Sequence, residues 1–149
     1  MVHVQVSSKT YRDNTGRSID FPTLLVEHNG ETMLFEHLHR YQIENRSKSA
    51  TWHKKLVQAV GLLLDYMEAN QEYYDSAKEF FDTFTECVYS GTINEEGLDP
   101  SGLYWLPKRV ETANMLLSAL NGFSEWLHTE YGAVQLNPWR KATRYEERL

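Results

Sequence analysis

Trp52, Leu56, Val60, Leu63 and Met67 recur at intervals of four, four, three and four residues, with Val57 and Leu64 beside them. That spacing draws one broad apolar stripe along a helix, and the stripe needs other apolar surfaces to cover it. The helix is expected within residues 46–70, with Ser47 or Ser49 supplying the N-cap oxygen that its first amides require. Four Trp, nine Tyr and six Phe in 149 residues give such a helix enough apolar partners for one compact core.

Two more helices follow. Residues 72–89 place Tyr73, Ala77, Phe80, Phe81, Phe84 and Val88 on one face and Asp75, Lys78, Glu79, Asp82 and Glu86 largely on the other, and Gly91 ends the run. After a turn-rich loop at 92–106, where Leu103, Tyr104 and Trp105 need packing partners, a long helix is expected from near Pro107 to Gly132. Its apolar positions are Val110, Ala113, Leu116, Leu117, Leu120, Phe123, Trp126 and Leu127, with Gly122 a point of bending or close approach. A shorter helix at 36–45 would turn Leu38, Tyr41 and Ile43 inward.

The first 35 residues read differently. Val2, Val4 and Val6 alternate with polar residues as in a short strand, and residues 7–20 read as a loop. Asn29-Gly30 between Thr23–His28 and Glu31–Phe35 is the preferred pair for a type I′ hairpin turn. So small a β piece needs the helices or a partner to pack against. The chain is therefore expected to be mainly α, a bundle of about four helices with a small N-terminal β-hairpin.

The net charge of −6 is unevenly spread. Residues 71–99 carry eight carboxylates and one lysine, whereas 40–55 sum to +4 and 136–149 to +2. Local fields therefore outweigh the net figure. Cys87 falls in an apolar helical pattern and reads as a core thiol in a reducing compartment. No apolar run is long enough to span a membrane and no signal-peptide core is visible, so a soluble, cytoplasmic protein without a membrane partner is expected.

Three features taken together resemble the N-terminal core-binding, SAM-like domain of tyrosine site-specific recombinases, the phage-integrase family. They are the basic Arg46-Ser47-x-Ser49-x-Thr51 lead into an amphipathic helix, the second helix, and a last helix closing Leu120-Asn121-Gly122-Phe123-Ser124-Glu125-Trp126-Leu127. Tyr131-Gly132 and Leu136-Asn137-Pro138 follow, where the family begins its interdomain linker. The resemblance spans about residues 36–141. It implies a division into an N-terminal extension at 1–35, a helical core-binding domain at 36–138 and the start of a linker at 139–149.

The resemblance implies a non-catalytic module that clamps double-stranded DNA and meets neighbouring protomers on it. Strand cleavage would belong to a C-terminal domain beginning where this chain stops. His37-Leu38-His39-Arg40 fits the family's His-x-x-Arg pair but has none of its context, so no catalytic residue is assigned. The histidines lack a metal-ligand spacing, and neither a metal site nor a cofactor is expected.

Phosphate neutralisation would supply most of the binding. Its candidates are Arg46, Lys48, His53, Lys54 and Lys55 at the start of the central helix, Lys108 and Arg109 at the start of the last, and Arg140, Lys141 and Arg144 in the tail. Singly, each reads as a solvated charge; as a set they read as DNA contacts. The acidic second helix must then point away from the duplex. The rival reading is a helical protein-interaction module that uses Leu103-Tyr104-Trp105 and the hairpin edge.

Overall fold

A computed structural model of the chain describes residues 2–12, 16, 18–28, 31–70 and 77–132. The described residues form three strands followed by four helices. These are β1 (Val2–Arg12), β2 (Ser18–His28), β3 (Glu31–Leu34), α1 (Glu36–Glu44), α2 (Ala50–Asn70), α3 (Ala77–Ser90) and α4 (Val110–Tyr131). The protein is mainly helical with a small N-terminal β element, as its periodicities require.

The strands form an antiparallel sheet in the order β1-β2-β3. β2 and β3 pair His28 with Glu31 and Leu25 with Leu34, which is the register a two-residue connection imposes. The conformation of the Asn29-Gly30 turn itself lies outside the described residues. The expected loop at 7–20 is corrected: β1 continues to Arg12 and β2 begins at Ser18, with Tyr11 opposite Ile19. Thr10 and Tyr11 in β1 and Ile19 in β2 favour the ladder over a loop.

Leu24 of β2 lies fully buried in the same core as Leu38, Leu56, Leu63, Phe84, Leu116 and Leu120, so the sheet packs against the helices. Pro22 also sits on β2, where β3 no longer covers that edge. Its carbonyl instead accepts a 2.6 Å hydrogen bond from Nε2 of the buried Gln42 on α1.

The helices follow their expected spans with local differences, while residues 72–76 of the expected 72–89 helix lie outside the described residues. Ser49, not Ser47, caps α2, its Oγ accepting from the Trp52 amide at 3.1 Å. In the α2 stripe Leu56, Val60 and Leu63 are buried, but Met67 is exposed and Tyr66 takes the inward position. Tyr66 meets Phe80, Phe84 and Trp105 there, which rotates the far half of the buried face by one residue.

α4 starts at Val110 rather than near Pro107. The Thr92 amide donates to Trp105 O and the Lys108 amide to Tyr89 O, holding 105–108 extended against the end of α3. At the other end Gly132, at φ 66°, closes the helix in the left-handed conformation. Gly122 permits close approach, since a β-carbon there would stand 3.0 Å from the Tyr41 hydroxyl.

Candidate nucleic-acid interface

The α1–α2 connection is built before its charges are considered. Asn45 folds back on α1, its Nδ2 donating to Tyr41 O at 2.8 Å, and the Lys48 amide donates to Asn45 O at 2.9 Å. This tight turn leaves Arg46 and Lys48 exposed, with Arg46 Nη1 donating to Ile43 O at 3.1 Å. Lys54 is exposed in the first turns of α2 and Lys55 half-buried beside it. Four cations thus fall in the turn before α2 and in its first turns, where they oppose its macrodipole, and an external anion there would gain from both.

An aromatic cluster fixes this corner. Tyr41 lies 5.8 Å from Trp52, 5.4 Å from Phe123 and 5.3 Å from Trp126, ring centre to ring centre. The Trp126 indole donates to the Glu44 carboxylate. Burial, with Glu125 adding to it, raises the Tyr41 hydroxyl above its ordinary value, so it stays protonated. Between α1, the start of α2 and α4 runs a groove of about 440 Å³ bordered by Tyr41, Trp52, Lys55, Met115 and Ala119.

His53 does not belong to this surface. It is buried, stacks on Phe21 and takes a 3.3 Å contact from Gln42 Nε2 at its Nδ1. One amide hydrogen of Gln42 is committed to Pro22 O, so the other points at Nδ1, which accepts as in a neutral imidazole. Burial lowers the His53 pKa below its ordinary value, and the Asn45 backbone opposes this by less. A neutral, covered ring offers nothing to a phosphate.

Lys108 and Arg109 are not brought to the same place. Trp52 shares its groove with Met115 and Ala119, while Tyr66 meets Trp105 just before α4, so α2 and α4 run antiparallel. The two helix N-termini therefore lie at opposite ends, about 20 Å apart at 1.5 Å per residue. Lys108 Nζ stands 5.4 Å from the Trp105 ring centre, and burial lowers its pKa. Arg109 is exposed at the N-cap of α4. Arg140, Lys141 and Arg144 lie outside the described residues.

The acidic α3 packs through Phe80 and Phe84 on Tyr66, at the far half of α2 from the basic turn. Glu79, Asp82 and Glu86 are exposed there, so the carboxylates of α3 lie away from the basic turn, while Glu44 and Glu125 stand beside the aromatic cluster at that turn. Sequence reasoning missed the loop beyond α3. Asp99 is buried in it and accepts from the Ser101 amide and hydroxyl, the Tyr104 amide and the Thr92 hydroxyl. Burial raises its pKa, but these hydrogen bonds outweigh that and hold it at about 2. The Asp-Pro-Ser-Gly run signalled a turn, without signalling that its carboxylate would organise the loop.

Two further expectations meet a different outcome. Trp105 is buried, but Tyr104 and Leu106 face outward. Cys87 is half-buried rather than enclosed, and burial, aided by Glu86 and Asp99 against a Tyr66 hydrogen bond, raises its thiol pKa. Of the His-x-x-Arg match, the His37 ring contacts Tyr131 and Arg40 Nη1 donates to the Tyr131 hydroxyl at 2.7 Å, tying α1 to the end of α4. Among the described residues no cluster of His, Cys, Asp and Glu is placed to hold a metal ion, and no helix is long and apolar enough to cross a membrane. No protein-family model, curated protein or solved structure matches this chain.

Proposed function

We propose that this chain is a non-catalytic DNA-binding module, the core-binding region of a tyrosine recombinase of the phage-integrase kind. It would hold the recombination-site duplex in the cytoplasm while a separate domain cleaves and rejoins strands. One observation carries the reading: exposed Arg46 and Lys48 in the turn fixed by Asn45 and Ser49 before α2 are followed by exposed Lys54 and half-buried Lys55 in its first turns. The placement of acidic α3 at the far half of α2 supports it, because the carboxylates of α3 are kept away from a duplex laid on the basic turn.

The binding would come mainly from phosphates and their released counterions. Three to four such contacts predict a log–log salt slope of about −3 to −4, at about 0.9 per phosphate. Fluorescence anisotropy on a mixed-sequence duplex at about 50 and 200 mM salt tests this, with Arg46, Lys48, Lys54 and Lys55 changed to alanine in a parallel sample. Steep salt dependence that vanishes in the variant is the expected result. Binding that is absent, or indifferent to salt, would refute it, and indifference would favour the protein-interaction reading.

A further inference from the structure

The groove at the basic end has a counterpart at the other end of the molecule. The loop at 92–106 carries Glu95, Glu96 and Asp99 and no cation within it, Lys108 and Arg109 following at its close, and it presents exposed Leu98, Tyr104 and Leu106. It is held as a fixed shape by two side chains. Asn94 Oδ1 accepts from the Glu96 and Leu98 amides, and Asp99 accepts from both sides of the Ser101–Tyr104 turn. Tyr104 is the one non-glycine at positive φ among the described residues, at 52°, so the loop sustains backbone strain while its ring stays in solvent. A pre-shaped loop loses little entropy on docking, and an outward aromatic is the usual anchor of a contact.

The groove beside Trp52 offers the complement. It is mainly apolar, holds about 440 Å³, includes exposed Met115, and carries Lys55 on its border with Lys54 nearby in sequence. We propose that copies of this chain associate head to tail when no nucleic acid is bound. Tyr104 and Leu106 of one copy seat beside Trp52 and Met115 of the next, and Glu95 and Glu96 face Lys54 and Lys55. Because the two surfaces lie at opposite ends of the antiparallel α2–α4 pair, one contact leaves a free surface at each end. The contact is heterologous, so the assembly grows rather than stopping at a symmetric dimer. The other candidate occupant is the chain's own 133–149 segment, but in its sequence Trp139 is followed by Arg140 and Lys141, whose charge matches the groove border in sign. The acidic loop is the better electrostatic fit.

The contact engages cations that a duplex would also need, so the two states exclude each other. The association itself does not rest on the DNA reading, and its test uses protein freed of nucleic acid. Sedimentation equilibrium at low salt should give a weight-average mass that starts at 17.4 kDa and climbs past the dimer with concentration. Tyr104→Gly should weaken association about tenfold or more without lowering the melting temperature, since glycine accepts φ 52° freely. The second arm is a charge exchange. Glu95→Lys with Glu96→Lys, and separately Lys54→Glu with Lys55→Glu, should each remain monomeric alone and associate when mixed. A single 17.4 kDa species at every concentration would overturn the proposal. So would association untouched by both arms, or association lost in Trp139→Ala but kept in Tyr104→Gly.

Discussion

The imidazole of His53 on α2 lies flat against the ring of Phe21 on β2, centres 4.5 Å apart and planes within 10°. Gln42 on α1 completes the joint by donating to Pro22 O and towards His53 Nδ1, so three elements meet at one buried, neutral ring. A proton on Nδ1 would face the Gln42 amide hydrogens and displace that contact.

Acid should therefore loosen the sheet from the helices. Burial lowers the pKa of His53 in the folded chain, so the unfolded chain takes the proton first as pH falls. The contribution of this group is complete above about pH 6.5 and declines below it towards the folded-state pKa. Urea melts between about pH 5 and 8 should show stability rising with pH, and His53→Phe, which keeps the stack, should flatten that rise. Equal slopes in both proteins would assign the effect to the other histidines.

Asp99 responds in a different range. Its folded pKa of about 2 lies below the ordinary carboxylate value of 3.8, so its contribution is complete above 3.8 and is lost as pH falls through about 2. Replacing it with alanine strands the Thr92 and Ser101 hydroxyls and the amides of Ser101 and Tyr104 at once. A loss of about 2–3 kcal/mol in urea unfolding at neutral pH is expected, because unsatisfied groups cost more than the bonds contributed. The same variant should release Tyr104 from its positive φ, visible as faster amide exchange across 99–105.

Much of this architecture was legible because it is periodic or punctuated. Leu56, Val60 and Leu63 declared the buried face of α2, Gly91 and Gly132 the ends of two helices, and Asn29-Gly30 the offset of β2 from β3. Gln42 and His53 were not legible as core, since a polar residue reads as exposed unless its partner is known. Here the partners are eleven residues apart in the chain and on another helix. The local charge clusters were also visible in sequence. Their separation was not, because it follows from α2 and α4 running antiparallel, a property of packing that no single segment encodes.

Gly91 and Gly97 separate two costs that are usually confounded. Both adopt φ 80°, but a β-carbon on Gly91 would stand 2.5 Å from Trp105 O, whereas nothing lies within 4 Å of one on Gly97. Gly97→Ala should cost only the left-handed backbone penalty, about 1–2 kcal/mol. Gly91→Ala adds a collision with backbone that the Thr92–Trp105 hydrogen bond holds in place, so it should be the more damaging by at least about 1 kcal/mol. Equal losses in urea melts would mean that the Trp105 segment shifts freely.

The two basic clusters should differ in their effect on DNA binding because they lie at different levels along the bundle, Lys55 beside Met115 and Ala119 and Lys108 about 10–15 Å away before the start of α4. Lys54→Ala with Lys55→Ala removes charge beside the turn that presents Arg46 and Lys48, and should reduce the magnitude of the salt slope by about 1.8, two phosphates' worth. Lys108 is partly committed to the face of Trp105, and Arg109 stands apart from the α2 turn. Lys108→Ala with Arg109→Ala should therefore change the slope by about half as much or less. His53→Phe should leave the slope unchanged, since the ring it replaces is buried and neutral. Anisotropy titrations of the three variants on one duplex decide the matter. A larger effect from Lys108 and Arg109 would move the duplex to the α4 end, beside the acidic loop, and the interface assigned to the α2 turn would be wrong.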